Sequence, residues 1–168
     1  MKIAISGKSG CGNTTISKLV AEKLGLQFIN FTFRNLAVEK DLSLADIIEK
    51  AKTDDWWDRE VDTRQVALAR EAGGCVMGSR LAIWMLPEAD LKVYLKATEE
   101  TRAKRVQKRE GGNLSEIAAF TKMRDREDHQ RYLSLYGIDN DDYSPAGLVI
   151  DTDDKTPEEI TALILAKC

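Results

Sequence analysis

The segment Gly7-Lys8-Ser9-Gly10-Cys11-Gly12-Asn13-Thr14 restricts this chain's fold more than any other. It meets the template G-x-x-x-x-G-K-[ST] at Gly7, Gly12 and Thr14, with Asn13 standing where the template has lysine. The apolar run Ile3-Ala4-Ile5 precedes it, and a helical pattern starts at Thr14-Thr15. The context is therefore strand, glycine-rich turn, helix. Backbone N–H groups of such a turn, with the helix N-terminus, converge on an anion. A cradle built from amides survives the loss of the lysine. The point charge that the lysine would place on the β/γ-phosphates does not survive it.

At 168 residues the chain is long enough for one domain with a real core. Hydrophobic content of 43% and charged content of 32% are ordinary for a globular protein. A net charge of only −3 leaves no basic field to favour nucleic acid or an anionic membrane as partner. Met1 opens directly on the first strand candidate, and no apolar run has the length of a membrane span, so a cytoplasmic location is expected. Cys11, Cys75 and Cys168 lack metal-ligand spacing and are odd in number, which favours a reducing compartment over a disulfide framework.

Strands are expected at residues 2–6, 27–30, 74–78, 90–96 and 147–151, each short and followed by a longer helical segment. Most are continuous apolar runs rather than alternating ones, which suits a parallel sheet covered on both faces. The first helix, about 14–24, carries Ile16, Leu19, Val20 and Leu24 at helical spacing and ends at Gly25. Strands alternating with helices give an α/β doubly wound sheet, with ligands at the carboxyl ends of the strands. The segment 98–134 is basic and breaks at Gly111-Gly112, which reads as a flap rather than core.

With the loop, the later arginines and their separations in view, the chain resembles nucleoside monophosphate kinases, and among them the short, archaeal-type cytidylate kinases. The shared signs are the loop at 7–14, Phe33-Arg34, Asp58-Arg59-Glu60-Val61-Asp62-Thr63-Arg64-Gln65 and Ser79-Arg80-Leu81-Ala82-Ile83-Trp84. Lys108-Arg109-Glu110-Gly111, Arg131-Tyr132, Tyr136-Gly137-Ile138-Asp139 and Leu148-Val149-Ile150-Asp151-Thr152 continue them. The resemblance implies a three-layer P-loop kinase fold: a five-stranded parallel sheet with helices on both faces and a helical lid. It implies one domain over 1–168, with a nucleoside-monophosphate-binding helical insertion at about 32–72 and a basic lid at about 99–131. It also implies ATP and Mg²⁺ as cofactors, CMP and dCMP as small-molecule acceptors, and a monomer. Two positions depart from the family pattern. They are Asn13, and Gly78-Ser79, where an acidic residue followed by glycine is usual.

Phosphoryl transfer onto a phosphate asks for alignment and charge neutralisation. The acceptor's second pKa is about 6, so no general base is required and His129, the one histidine, need not be catalytic. Phosphate contacts are expected from Gly7, Lys8, Ser9, Gly10, Cys11, Gly12, Asn13, Thr14 and Thr15, with the Thr14 hydroxyl on Mg²⁺. Lys8 lies five residues before Asn13, a spacing that resembles the signature lysine of deviant P-loop ATPases. Either Lys8 or a lid arginine supplies the missing charge; the alternative for Lys8 is an exposed residue on a polar loop. Arg34 and Arg80, each just beyond a strand, are the expected acceptor-phosphate clamps, beside Ser79.

Asp58, Asp62, Gln65 and Ala69 share one helix face. A carboxylate of Asp58 or Asp62 can take the cytosine N4 hydrogens, while Arg59, Arg64 or Gln65 donates to the ring acceptors; the alternative is a solvated, charge-stitched helix. Arg102, Arg105 and Arg109 recur at i, i+3 and i+7 and, with Arg124 and Arg131, are lid candidates for neutralising the transition state. The pairs Glu100–Lys104, Arg124–Asp128 and Glu127–Arg131 stand at i, i+4, so part of this charge is expected to be helix surface. The competing functions are a P-loop kinase for another nucleotide or small metabolite, and a catalytically weakened nucleotide-binding regulator.

Overall fold

In the computed structural model, which describes residues 1–168, five strands form one sheet in the order β2-β3-β1-β4-β5. They are β1 (Lys2–Gly7), β2 (Gln27–Ile29), β3 (Cys75–Gly78), β4 (Leu91–Lys96) and β5 (Leu148–Asp151). Every neighbouring pair is parallel, with Ile3 opposite Val76 on one side of β1 and Leu91 on the other. Strand positions agree with the sequence expectation to within a residue at each end, because continuous apolar runs bounded by Gly or Asp have few registers open to them.

The period-2 pleat divides β1 between two cores. Ile3 and Ile5 pack with Val93, Leu95 and Ile150 against Ile16 and Val20 of α1 (Asn13–Leu24) and Ile160 and Ile164 of α8 (Pro157–Leu165). Ala4 faces the other way, with Met77 and Tyr94, toward Val66 and Ala69 of α4 (Trp56–Glu71) and Ile83 of α5 (Ala82–Met85). Helices thus cover both faces. A third cluster joins Leu36 of α2 (Phe33–Lys40), Ile47 of α3 (Leu44–Ala51) and Val61 of α4 around Phe31. It gives the 32–72 segment a small core of its own. Trp57 packs on this cluster and meets Trp56 edge-to-face at 4.9 Å.

The basic stretch forms α6 (Glu99–Glu110) and α7 (Leu114–Tyr136), joined through Gly111 and Gly112 at φ 76° and 100°. Only glycine takes such angles without strain. Helix α6 lies directly on the loop after β1. Gly10 has φ +82°, and a Cβ there would stand 2.8 Å from the Arg102 carbonyl oxygen. Main chain cannot step aside as a flexible side chain can. Gly10→Ala is therefore expected to destabilise the fold by about 1–3 kcal/mol, a fall of several degrees in Tm. Thermal unfolding checks this, and an unchanged Tm would show that α6 does not press on the loop.

Candidate active site

Of the main-chain N–H groups from Lys8 to Thr15, only that of Cys11 donates to a carbonyl, the oxygen of Lys8 at 3.1 Å. Helix α1 begins after Gly12, which is left-handed, with no side-chain cap and no acidic residue in its first turn. Its orphan amides and positive dipole end are open to an anion. Thr14 and Thr15 are exposed, and neither hydroxyl makes a hydrogen bond. The loop therefore fits a bound phosphate, and the Thr14 hydroxyl fits the metal that would travel with it.

Asn13 does not reach outward. Its Oδ1 accepts from Ser17 Oγ at 3.1 Å, within its own helix. Both side chains press on Gly78 at the end of β3, where a Cβ would stand 2.5 Å from Ser17 Oγ and 3.3 Å from Asn13 Oδ1. The two departures at positions 13 and 78 thus occupy one place in space. With Ser17 buried there, a carboxylate cannot grow from position 78.

The arginines of α6 and α7, together with Arg80, divide into two groups. Arg102, 3% exposed, pairs with Asp125 at 2.6 Å and donates to the Ser9 carbonyl at 3.3 Å. Arg105 donates to the Gly10 carbonyl at 3.2 Å and to Thr152, through its hydroxyl and its carbonyl. These two were expected to face the reactants; the structure has them gripping the outer carbonyls of the loop instead. A trans peptide points its N–H opposite its C=O, so this grip helps turn amides toward the cradle. Arg109 is paired with Glu110 on the surface, apart from both groups.

Arg80, Arg124 and Arg131 form the second group. Asp128, buried, accepts from Arg80 at 2.6 Å and from Arg131 at 3.0 Å. Arg124 has no carboxylate partner, and the protein around its head and the nearby Arg80 guanidinium hold its pKa below the usual value. The expected Arg124–Asp128 and Glu127–Arg131 surface pairs do not form, because Asp128 turns inward to Arg80 and Arg131; Glu100–Lys104 does form. Arg34 is exposed at the start of α2, unpaired, and Ser79 donates its N–H to Ile5 O at 3.2 Å.

Three buried polar atoms lack hydrogen-bond partners: Asp58 Oδ2, Gln65 Oε1 and Arg131 Nε, the last 3.6 Å from Asp58 Oδ1. Such atoms cost about 1–3 kcal/mol each unless something satisfies them. Burial raises the Asp58 pKa, with Arg131 acting against the rise. Asp62, by contrast, is already engaged, accepting from the Tyr136 hydroxyl at 2.6 Å. Burial pushes its carboxyl up to about 6, against that hydrogen bond. Arg59 donates to Leu135 O, and Arg64 is held by Glu39 and Glu60. Both thus have protein partners of their own.

Lys8 Nζ sits 2.6 Å from Asp141 Oδ1. A cavity of about 570 Å³ lies behind α7, lined by Lys8, Cys11, Lys122, Arg126, Asp141 and Tyr143 among others. A smaller space brings Lys8 and Gly7 together with Arg80, Asp125, Asp128 and Asn140. His129 is half-buried, with Nδ1 2.9 Å from Asn140 Oδ1. Asp125, Asp128, Asn140 and Asp141 were not among the expected site residues. The one sequence signal of the three aspartates is their place inside, or just after, a strongly basic stretch; Asn140 carries none.

Residues 2–154 match the family described as Cytidylate kinase-like family. The chain is 47% identical to "Cytidylate kinase 2" of Borreliella burgdorferi, over 98% of this chain and 93% of that protein. It is 44% identical to "Cytidylate kinase" of Pyrococcus horikoshii, over 98% of this chain and 86% of that protein. Among solved structures, shikimate kinase from Bacteroides thetaiotaomicron superposes with a TM-score of 0.66 at 16% identity, covering 99% of this chain and 96% of that one. That likeness fixes the fold as the P-loop kinase type.

The raised Asp62 pKa has a signed consequence. Between about pH 4 and 6 the folded protein holds a proton that the unfolded chain releases, so ionising Asp62 lowers stability as pH rises through this window. Asp62→Asn removes that penalty while keeping an acceptor for Tyr136. The stability of the variant relative to the parent is expected to rise from pH 4 to pH 7 in urea unfolding. A difference that does not change with pH would contradict the buried carboxyl.

Proposed function

The chain belongs to the cytidylate kinase-like family, and from that premise we propose that it moves the γ-phosphoryl group of ATP onto CMP, and onto dCMP. The observation that carries the choice of acceptor is the set of orphaned buried atoms on α4 and α7: Asp58 Oδ2, Gln65 Oε1 and Arg131 Nε. The two acceptors suit the two N4 hydrogens of cytosine, and the one donor suits its N3 or O2. Uracil would turn its O4 toward Asp58. The segment from α2 to α4 is the acceptor-binding arm and α6–α7 is the lid.

Arg34 and Arg80 clamp the acceptor phosphate, with Arg124 and Arg131 adding charge from α7. Forked guanidiniums match phosphate oxygens in pairs, which lysine cannot do. An acceptor oxygen attacks the γ-phosphorus in line as the bond to the β,γ-bridging oxygen breaks, giving ADP and CDP. The loop amides and the α1 N-terminus hold the donor phosphates, while Arg102 and Arg105 keep the loop's carbonyls turned outward. Thr14 is the protein ligand for Mg²⁺, which when bound neutralises phosphate charge. Lys8 supplies the cation that position 13 lacks. The protein acts as a monomer in the cytoplasm, where reducing conditions suit three free cysteines.

An acceptor panel in a coupled ADP-release assay tests the substrate. CMP is expected to give the highest kcat/KM, with dCMP next; AMP, UMP or shikimate outrunning CMP would make the assignment wrong. Lys8→Ala is expected to lower kcat about a hundredfold, the usual loss when one pre-organised donor to a developing charge is removed. Near-normal turnover would sink the role given to Lys8.

A further inference from the structure

Lys8 can serve the transfer only if its flexible four-carbon stem is aimed, since an ammonium on a free stem is a poorly placed charge. Position 13 cannot help, because Asn13 is folded back on Ser17. In the structure the Lys8 ammonium is held at one point, 2.6 Å from Asp141 Oδ1, and Lys8 shares a small space with Gly7, Arg80 and Asp128. Lys8 thus lines both that small space beside Arg80 and the larger cavity, which it shares with Asp141.

Asp141 is itself held by its surroundings. Its N–H donates to Asp139 Oδ1 at 2.9 Å, closing a tight turn. The preceding Asn140 is buried and bonded to His129 of α7, whose Nδ1 is also 3.5 Å from Asp141 Oδ2. The turn that carries the carboxylate is thus tied to the same helix that carries Arg124, Asp128 and Arg131. The Lys8 hydrogen bond in turn holds the Asp141 carboxyl below its usual pKa, so it stays ionised at neutral pH.

We propose that Asp141 is a positioning residue for phosphoryl transfer: it holds the Lys8 ammonium at the mouth of the loop and yields it to the γ-phosphate when nucleotide binds. This rests on the reading of Lys8 as the cation that replaces the loop lysine. A carboxylate that must give up its partner opposes ATP binding while it shortens the search for the transition-state geometry. Its removal therefore affects the two kinetic constants differently. Asp141 is more than half exposed, so substitution there does not disturb the core.

The test measures kcat, KM for ATP and Tm for Asp141→Asn and Asp141→Glu, and repeats Asp141→Asn in a Lys8→Ala background. Asp141→Asn is expected to lower kcat about tenfold to a hundredfold without raising KM for ATP. Asp141→Glu is expected to recover most of that loss. In the Lys8→Ala background Asp141→Asn is expected to change kcat less than twofold. An equal loss with and without Lys8, or a shift in Tm with kcat unchanged, overturns the positioning role while leaving Lys8 in place. If Lys8→Ala alone keeps near-normal turnover, the reading of Lys8 fails, and the role of Asp141 fails with it.

Discussion

Between Lys8 and Thr15 the main chain leaves every N–H but one without a carbonyl partner, against the general rule that main-chain donors are paired. Holding a loop in that condition requires support from all sides. Strand β1 fixes its start, α1 fixes its end, and Cys11 is buried beneath it in the sheet core. From above, Arg102 and Arg105 take the carbonyls of Ser9 and Gly10, and α6 presses so close to Gly10 that no side chain fits. The parallel sheet, helix α6 and the glycines all serve one end: donors that a phosphate can satisfy and the protein does not.

Charge is distributed by the same constraint. The chain has no lysine at position 13 and no acidic side chain at position 78, and the two positions meet in space. Ser17 and Asn13 fill the space where a side chain at position 78 would begin. Positive charge stands elsewhere, on Lys8 within the loop and on Arg80, Arg124 and Arg131 near Asp128. Three guanidiniums stand against two buried carboxylates, Asp128 and Asp58, which leaves a net positive site that an anion would balance.

The sheet was legible in the sequence because Ile3-Ala4-Ile5, Val93-Tyr94-Leu95 and Leu148-Val149-Ile150 are apolar runs closed by Gly or Asp, and helix α1 because Gly25 stops it in a left-handed cap. The loop was legible from its glycine spacing. What the sequence hid was partner choice. Arg102, Arg105 and Arg109 share a helix face, yet one meets Asp125, one meets Thr152 and one meets Glu110. Helical spacing tells which residues share a face, not which distant carboxylate or carbonyl waits opposite. Asp62 was indistinguishable from Asp58 for the same reason, since only the fold brings Tyr136 to one and leaves the other with a free oxygen. Asp141 was invisible because its partner Lys8 lies at the far end of the chain.

Phosphorus NMR of the unmodified protein with MgATP and CMP asks most directly whether an amide cradle with its cation moved to Lys8 still transfers phosphate. Growth of the ADP and CDP resonances in equal amounts is the expected result. CMP bound tightly while ATP stays intact would contradict a kinase and leave a nucleotide-binding protein without the transfer step.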